Sequence, residues 1–296
     1  MNATCHEEMV LGASEAGFHR LAYTAWGASD AACGTAICVH GLTRTGRDFD
    51  ALAAALAGTR HVLCPDMVGR GRSDWLPEGL DYGYGQYQND LIALIARSGA
   101  RTVDWIGTSM GGILGMLLAA KPGTPLRRLV LNDVGPFIPR AALQGLAAYV
   151  GKHPYFQDFE AAVAYMRAVH AGFGPLSESQ WVHLTRHAVR PVPAGGYRLA
   201  YDPRIGAPFQ DVEALDDVDL WAVWDAIECP VLVLRGAESP LLTAETAAAM
   251  TRRGPGLGPG VTLATVPETG HAPALMAADQ IETIRGWLAD TESAFR

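Results

Sequence analysis

The feature that narrows the fold most is a junction. From Val103 to Gly107 the chain reads as a short apolar strand, and from Met110 an apolar helical pattern runs to Ala120, with only Thr108 and Ser109 between them. The five residues Gly107-Thr108-Ser109-Met110-Gly111 match the spacing G-x-S-x-G. A strand that turns directly into a helix brings backbone against backbone, and glycines two places to either side of Ser109 leave room for that crowding. The turn lifts the serine hydroxyl out of the fold, and the helix beginning beside it directs free N–H groups toward developing negative charge. Such a junction suits attack on a carbonyl. Taken alone, the spacing also fits a serine that caps a helix in a glycine-rich loop, in a chain with 33 glycines.

The surrounding pattern places the junction in a sheet. Strand-like runs at 18–27, 35–41, 61–69, 102–107 and 126–135 alternate with helical spacing at 48–58, 86–97 and 109–121. The same texture returns at 229–236, 243–252, 261–266 and 279–295. Strands that read as nearly continuous apolar runs between helices predict a parallel sheet covered on both faces. Between Gly135 and Trp224 the texture changes, with more aromatics, histidine and proline, helical stretches such as 158–170, and no convincing strand of a sheet core. The expected division is a core of residues 1–134 and 225–296 with a mostly helical inserted subdomain of 135–224.

Composition removes several function classes. A formal charge of -8 with no Lys/Arg cluster argues against nucleic acid or an acidic membrane as partner. Five scattered cysteines without a CxxC pair fit buried thiols in a reducing compartment, and no apolar run reaches the length of a spanning helix. With no basic and apolar leader in the first twenty residues, the expected location is cytoplasmic. No compact His/Asp/Glu spacing or nucleotide-binding fingerprint is present, so neither metal nor organic cofactor is expected.

A serine hydroxyl needs a base. His271, in "VPETGHAPALM", lies after the final strand run and before the final helix, at a strand's carboxyl end where open α/β sheets bind ligands. His40, in "CVHGLTR", follows another strand and reads as a structural hydrogen-bonder. Next to it, Leu42 is placed to supply one backbone N–H of an oxyanion hole and Met110 the other.

These motifs, namely His40-Gly41-Leu42, "CPDMVGRGRSD", "GTSMGG", "LVLNDVGP", "PVLVLRGAES" and Gly270-His271-Ala272, together resemble the α/β-hydrolase fold superfamily, in its capped serine hydrolase branch. The resemblance spans essentially the whole chain. It implies an eight-stranded, mostly parallel sheet with an antiparallel second strand, and a helical cap after the sixth strand. It further implies that Asp66 and the following GRGRSD form a loop beside the site, with Arg72 or Ser73 shaping its mouth. Serine at position 109, where a carboxylate would be needed, disfavours the dehalogenase and epoxide hydrolase branches.

The acid departs from the family pattern. A common arrangement places Asp three residues after the glycine that closes the seventh strand, and here Gly236-Ala237-Glu238-Ser239 puts serine there. Two acids keep the chain order of nucleophile, acid and histidine: Asp133 after the sixth strand, and Glu238 one place early on the seventh-strand loop. The expected activity is hydrolysis of a small to medium hydrophobic carboxylic ester through an acyl-enzyme. Carbon–carbon hydrolysis of ring-cleavage products, lactone or amide hydrolysis, and non-catalytic sensing of a small molecule stay open. Aromatics of the insertion, among them Tyr149, Phe173 and Trp181, supply an apolar enclosure or simply pack its helices, and His183 and His187 share one helical face.

Overall fold

A computed structural model describes residues 5–78 and 82–292. Eight strands form one sheet: β1 (Cys5–Ser14), β2 (Gly17–Trp26), β3 (Thr35–Val39), β4 (His61–Pro65), β5 (Val103–Thr108), β6 (Leu126–Asn132), β7 (Val231–Gly236) and β8 (Val261–Val266). Their spatial order is β1-β2-β4-β3-β5-β6-β7-β8. β2 runs antiparallel to both neighbours, through Ser14↔Gly17 and Tyr23↔Pro65, and the remaining pairs are parallel.

Helices cover the sheet as α1 (Asp50–Leu56), α2 (Tyr84–Ser98), α3 (Met110–Ala119), α4 (Arg140–Ala147), α5 (Phe159–Val169), α6 (Glu178–Ala188), α7 (Trp221–Asp225), α8 (Ala244–Met250) and α9 (Ala278–Asp290). Alternate strand residues point to opposite faces, so continuous apolar strands feed two cores. Ile37, Val39, Trp105 and Leu129 pack with Leu91, Leu94 and Leu114 of α2 and α3 on one face. Ala36, Cys38, Ile106 and Val130 pack with Leu52, Leu56, Ile284 and Leu288 of α1 and α9 on the other. The expected final helix at 279–295 stops at Asp290, and its last residues fall outside the described ones.

The chain between β6 and β7 is not purely helical. Besides α4, α5 and α6 it holds a three-stranded antiparallel sheet of Tyr155–Phe156, Val189–Pro191 and Tyr197–Leu199. Runs of two or three residues carry no readable alternation, which is why the sequence pattern did not predict them. Its two ends meet where Phe137–Ile138 pairs with Val218–Asp219. Among the described residues no helix is long and apolar enough to cross a membrane.

Candidate active site

Three loops at the carboxyl ends of β5, β6 and β8 converge. At the first, Ser109 is held at φ 51° and ψ −115°, a conformation that costs about 1–3 kcal/mol and persists only where the surroundings enforce it. The enforcement is visible in the packing. A β-carbon on Gly107 would lie 2.2 Å from the Gly111 carbonyl oxygen, and one on Gly111 would lie 2.0 Å from the Val39 carbonyl oxygen. The Ser109 N–H donates to the Asn132 carbonyl at 3.1 Å, and the Asn132 side-chain amide donates to Thr108 Oγ1 and to the Pro273 carbonyl, tying all three loops together.

Ser109 Oγ lies 3.0 Å from His271 Nε2, and His271 Nδ1 lies 2.7 Å from Asp133 Oδ2. An ionised carboxylate only accepts hydrogen bonds, so the proton sits on Nδ1 and leaves the Nε2 lone pair for the serine hydroxyl. Asp133 is fully buried, at φ 56°, and its two oxygens also accept from the Gly236 N–H at 2.8 Å and the Ser239 hydroxyl at 2.6 Å. Glu238, the alternative acid, is exposed, and its side chain has no hydrogen bond or ion pair among the described residues. Ser239 carries no local sequence signal for this role, since it stands where the family pattern puts an acid. Its contact with Asp133 joins residues far apart in the chain.

His40 is fully buried, with Nδ1 donating to the Gly41 carbonyl at 2.7 Å and Nε2 accepting from the Met67 N–H at 2.9 Å. Burial pushes its pKa down to about 3, so the ring is neutral, as those two contacts require. The Arg44 N–H donates to the same Gly41 carbonyl. With that carbonyl fixed, the N–H of Leu42 in the same planar trans peptide points the opposite way. A β-carbon on Gly41 would lie 3.7 Å from Ser109 Cβ, which puts this peptide beside the serine. Among the described residues and outside helices and strands, neither the Leu42 nor the Met110 amide donates to a backbone carbonyl.

In the loop where Arg72 or Ser73 is expected to shape the mouth, it is Arg70 that contacts Leu42 and Met110. It is fully buried, with Nε on the Leu42 carbonyl at 2.9 Å, Nη1 on the Val68 carbonyl and the Tyr87 hydroxyl, and Nη2 3.8 Å from Met110 Sδ. It therefore grips both residues expected to donate the oxyanion contacts. Arg72 instead reaches Glu7 on β1, and Ser73 bonds the Asp66 carbonyl and the Ala22 N–H. All lie in one short loop, so only the fold separates their roles.

A cavity of about 550 Å³ opens on His271, within the usual range for small-molecule sites. Ala142 and Leu146 of α4, Tyr149, Val169 and Leu241 give it apolar walls, while Glu238 and Glu268 line one side. The Gly172 carbonyl accepts from the Gly270 N–H at 2.8 Å, so the insertion is seated directly on the His271 loop. Of the insertion's aromatics, Tyr149 faces this cavity, whereas Phe173 and Trp181 stack on each other and Tyr155 is exposed.

Comparison with known proteins decides the family. Residues 36–283 match the model of the alpha/beta hydrolase family. The chain belongs to that family. It is 43% identical to a 3-hydroxybutyrate-oligomer hydrolase of Cupriavidus necator, over 95% of this chain and 97% of that one. It is 27% identical to a 2-(acetamidomethylene)succinate hydrolase of Mesorhizobium japonicum, over 78% of this chain and 79% of the other. Among solved structures, an alpha/beta hydrolase from Novosphingobium aromaticivorans superposes with a TM-score of 0.84 at 37% identity, covering 96% of this chain and 98% of that one. The expected sheet, with its antiparallel second strand and the insertion after the sixth, is the one found. The chain is a hydrolase of this fold.

Proposed function

We propose that the protein is a serine ester hydrolase acting on short hydroxy-acid esters, with residues 135–224 as a cap over the site. The observation that carries this reading is the continuous relay from Ser109 Oγ through His271 to Asp133, at 3.0 and 2.7 Å. His271 Nε2 removes the hydroxyl proton as Ser109 Oγ bonds to the ester carbon, while the Leu42 and Met110 N–H groups hold the oxyanion. The C–O bond to the alcohol then breaks, and that oxygen takes the proton from His271. A water deprotonated by His271 attacks the acyl-enzyme, frees the acid and returns the proton to Ser109. Asp133 stays ionised throughout, holding the ring in one tautomer.

The substrate class rests on the likeness to the 3-hydroxybutyrate-oligomer hydrolase, which extends over both chains nearly end to end. The cavity adds a polarity. A hydroxy-acid oligomer carries a carboxylate at one end and a hydroxyl at the other. Glu238 and Glu268, which have no ion-pair partner among the described residues, repel the carboxylate and accept from the hydroxyl, so the hydroxyl end faces them. Sensing without turnover has its ground in the irregular acid loop, and the 2.7 Å contact of Asp133 with His271 supports turnover instead.

The test is incubation with 3-hydroxybutyrate dimer and trimer, aryl butyrates and a coloured ring-cleavage dienone, with products followed by chromatography. Release of 3-hydroxybutyrate with many turnovers per enzyme, abolished in Ser109→Ala, is the expected outcome. Dienone cleavage with the oligomers left intact would replace ester hydrolysis by carbon–carbon hydrolysis.

A further inference from the structure

Away from the relay, three side chains from distant parts of the sequence converge. His183 and His187, one turn apart on α6, face Asp50, the first residue of α1, and one ligand atom from each lies within 4.8 Å of the other two. We infer that Asp50, His183 and His187 form a transition-metal site that clasps the inserted segment to the sheet core. No residue of the candidate active site belongs to it, so this inference stands whether or not the ester reading does.

The geometry is close to that of a coordination shell. Nitrogen and carboxylate oxygen bind zinc at about 2.0–2.2 Å, which sets two ligands of a tetrahedral ion roughly 3.4 Å apart. His183 Nε2 is already 3.5 Å from Asp50 Oδ2. The two imidazoles lie with centroids 4.9 Å apart at 64°, so a small rotation of His187 completes three ligands. Two imidazoles and one carboxylate suit zinc, nickel, cobalt or copper and disfavour calcium and magnesium, which prefer all-oxygen shells. The Asp50 side chain is 12% exposed and that of His183 29%, which leaves an entry path and room for water to complete the shell.

Two contacts compete with the ion. The His183 Nε2–H donates to the Arg47 carbonyl at 3.0 Å, and the Arg47 guanidinium is bidentate on Asp50. The latter also orients the carboxylate, as an outer-shell partner does in established metal sites. Together they place the affinity below that of a dedicated zinc centre, with an expected dissociation constant on the order of micromolar.

The test uses the full chain, stripped with chelator, and Zn²⁺ alone as ligand. Calorimetry is expected to give one ion per chain, and thermal unfolding a higher Tm with Zn²⁺ that chelator reverses. His183→Ala, His187→Gln and Asp50→Asn, each first shown to be folded by its unfolding transition in chelator, should bind at least about tenfold more weakly and lose the Tm rise. A Cys5→Ser/Cys33→Ser variant should keep both, and Mg²⁺ should produce neither. No stoichiometric binding at 100-fold excess over a micromolar constant, equal binding by Mg²⁺, or binding that survives the histidine changes but not the cysteine changes would overturn the assignment.

Discussion

The amides of Leu241 and Leu242 both donate into the Ser239 hydroxyl oxygen, at 3.2 and 3.1 Å, which leaves its own proton one acceptor, Asp133 Oδ2. Serine thus stands at the position where the family pattern leads one to expect an acid, and holds the candidate acid Asp133 from the side. Asp133→Asn is expected to lower kcat for an aryl ester by about 10⁴-fold, because asparagine no longer selects the reactive imidazole tautomer. Glu238→Gln should stay within a few-fold of the parent. Steady-state kinetics on folded variants tests both, and the reverse ranking would move the acid to Glu238. Ser239→Ala removes a hydrogen bond to a charged group, worth about 1.5–3 kcal/mol, and should both lower kcat and shift the urea midpoint down. Because the two positions share one site, Ser239→Asp is expected to recover part of the activity lost in Asp133→Asn. A double variant no faster than Asp133→Asn would show that the Ser239 side chain cannot reach His271.

At the scale of elements, the strand-to-helix turn between β5 and α3 is where sequence and packing agree most closely. Gly107→Ala or Gly111→Ala drives a methyl group into backbone carbonyls, and at least about 1–3 kcal/mol of stability should be lost in denaturant unfolding. Gly145 in α4 is the contrast: nothing lies within 4 Å of its missing β-carbon, and Gly145→Ala should stabilise by about 0.4–1 kcal/mol. The difference marks what was legible in the chain. The strands from β3 to β7 that build the core read out as apolar runs because both of their faces are buried, whereas β8, an edge strand that buries only Val266, read out through its β-branched residues. β1 did not, since it is an edge strand paired only with β2, and it exposes Met9 and Leu11 while carrying charge. The candidate nucleophile and base were legible because each sits in a local motif at a strand end. The choice between Asp133 and Glu238, the grip of Arg70 on Leu42, and the meeting of Asp50 with α6 were not, because each depends on which distant loops the sheet order brings together.

For the molecule as a whole, stability and chemistry sit at opposite ends of the same strands. Asp104, near the start of β5, is fully buried and accepts from Arg60, Arg127 and Arg128, which also reach Glu292 beyond α9. Asp104→Asn leaves buried guanidinium charge uncompensated and should cost about 3–5 kcal/mol, with kcat per folded molecule unchanged. Acid should weaken the fold through His40. Its folded pKa is depressed to about 3 by burial, so below its ordinary value near 6.5 the unfolded chain binds a proton that the native state refuses. Stability from this group is complete above that ordinary value and falls by roughly 1.4 kcal/mol per pH unit down to the folded value. A His40→Gln variant should show a shallower decline of unfolding free energy between those limits. The proposed chemistry turns on one hydroxyl, and reaction with a fluorophosphonate followed by intact mass and peptide mapping reads it directly. One adduct per chain on Ser109, formed rapidly by the parent and orders of magnitude more slowly by His271→Ala, is the predicted result; labelling elsewhere, or undiminished ester turnover by Ser109→Ala, would contradict it.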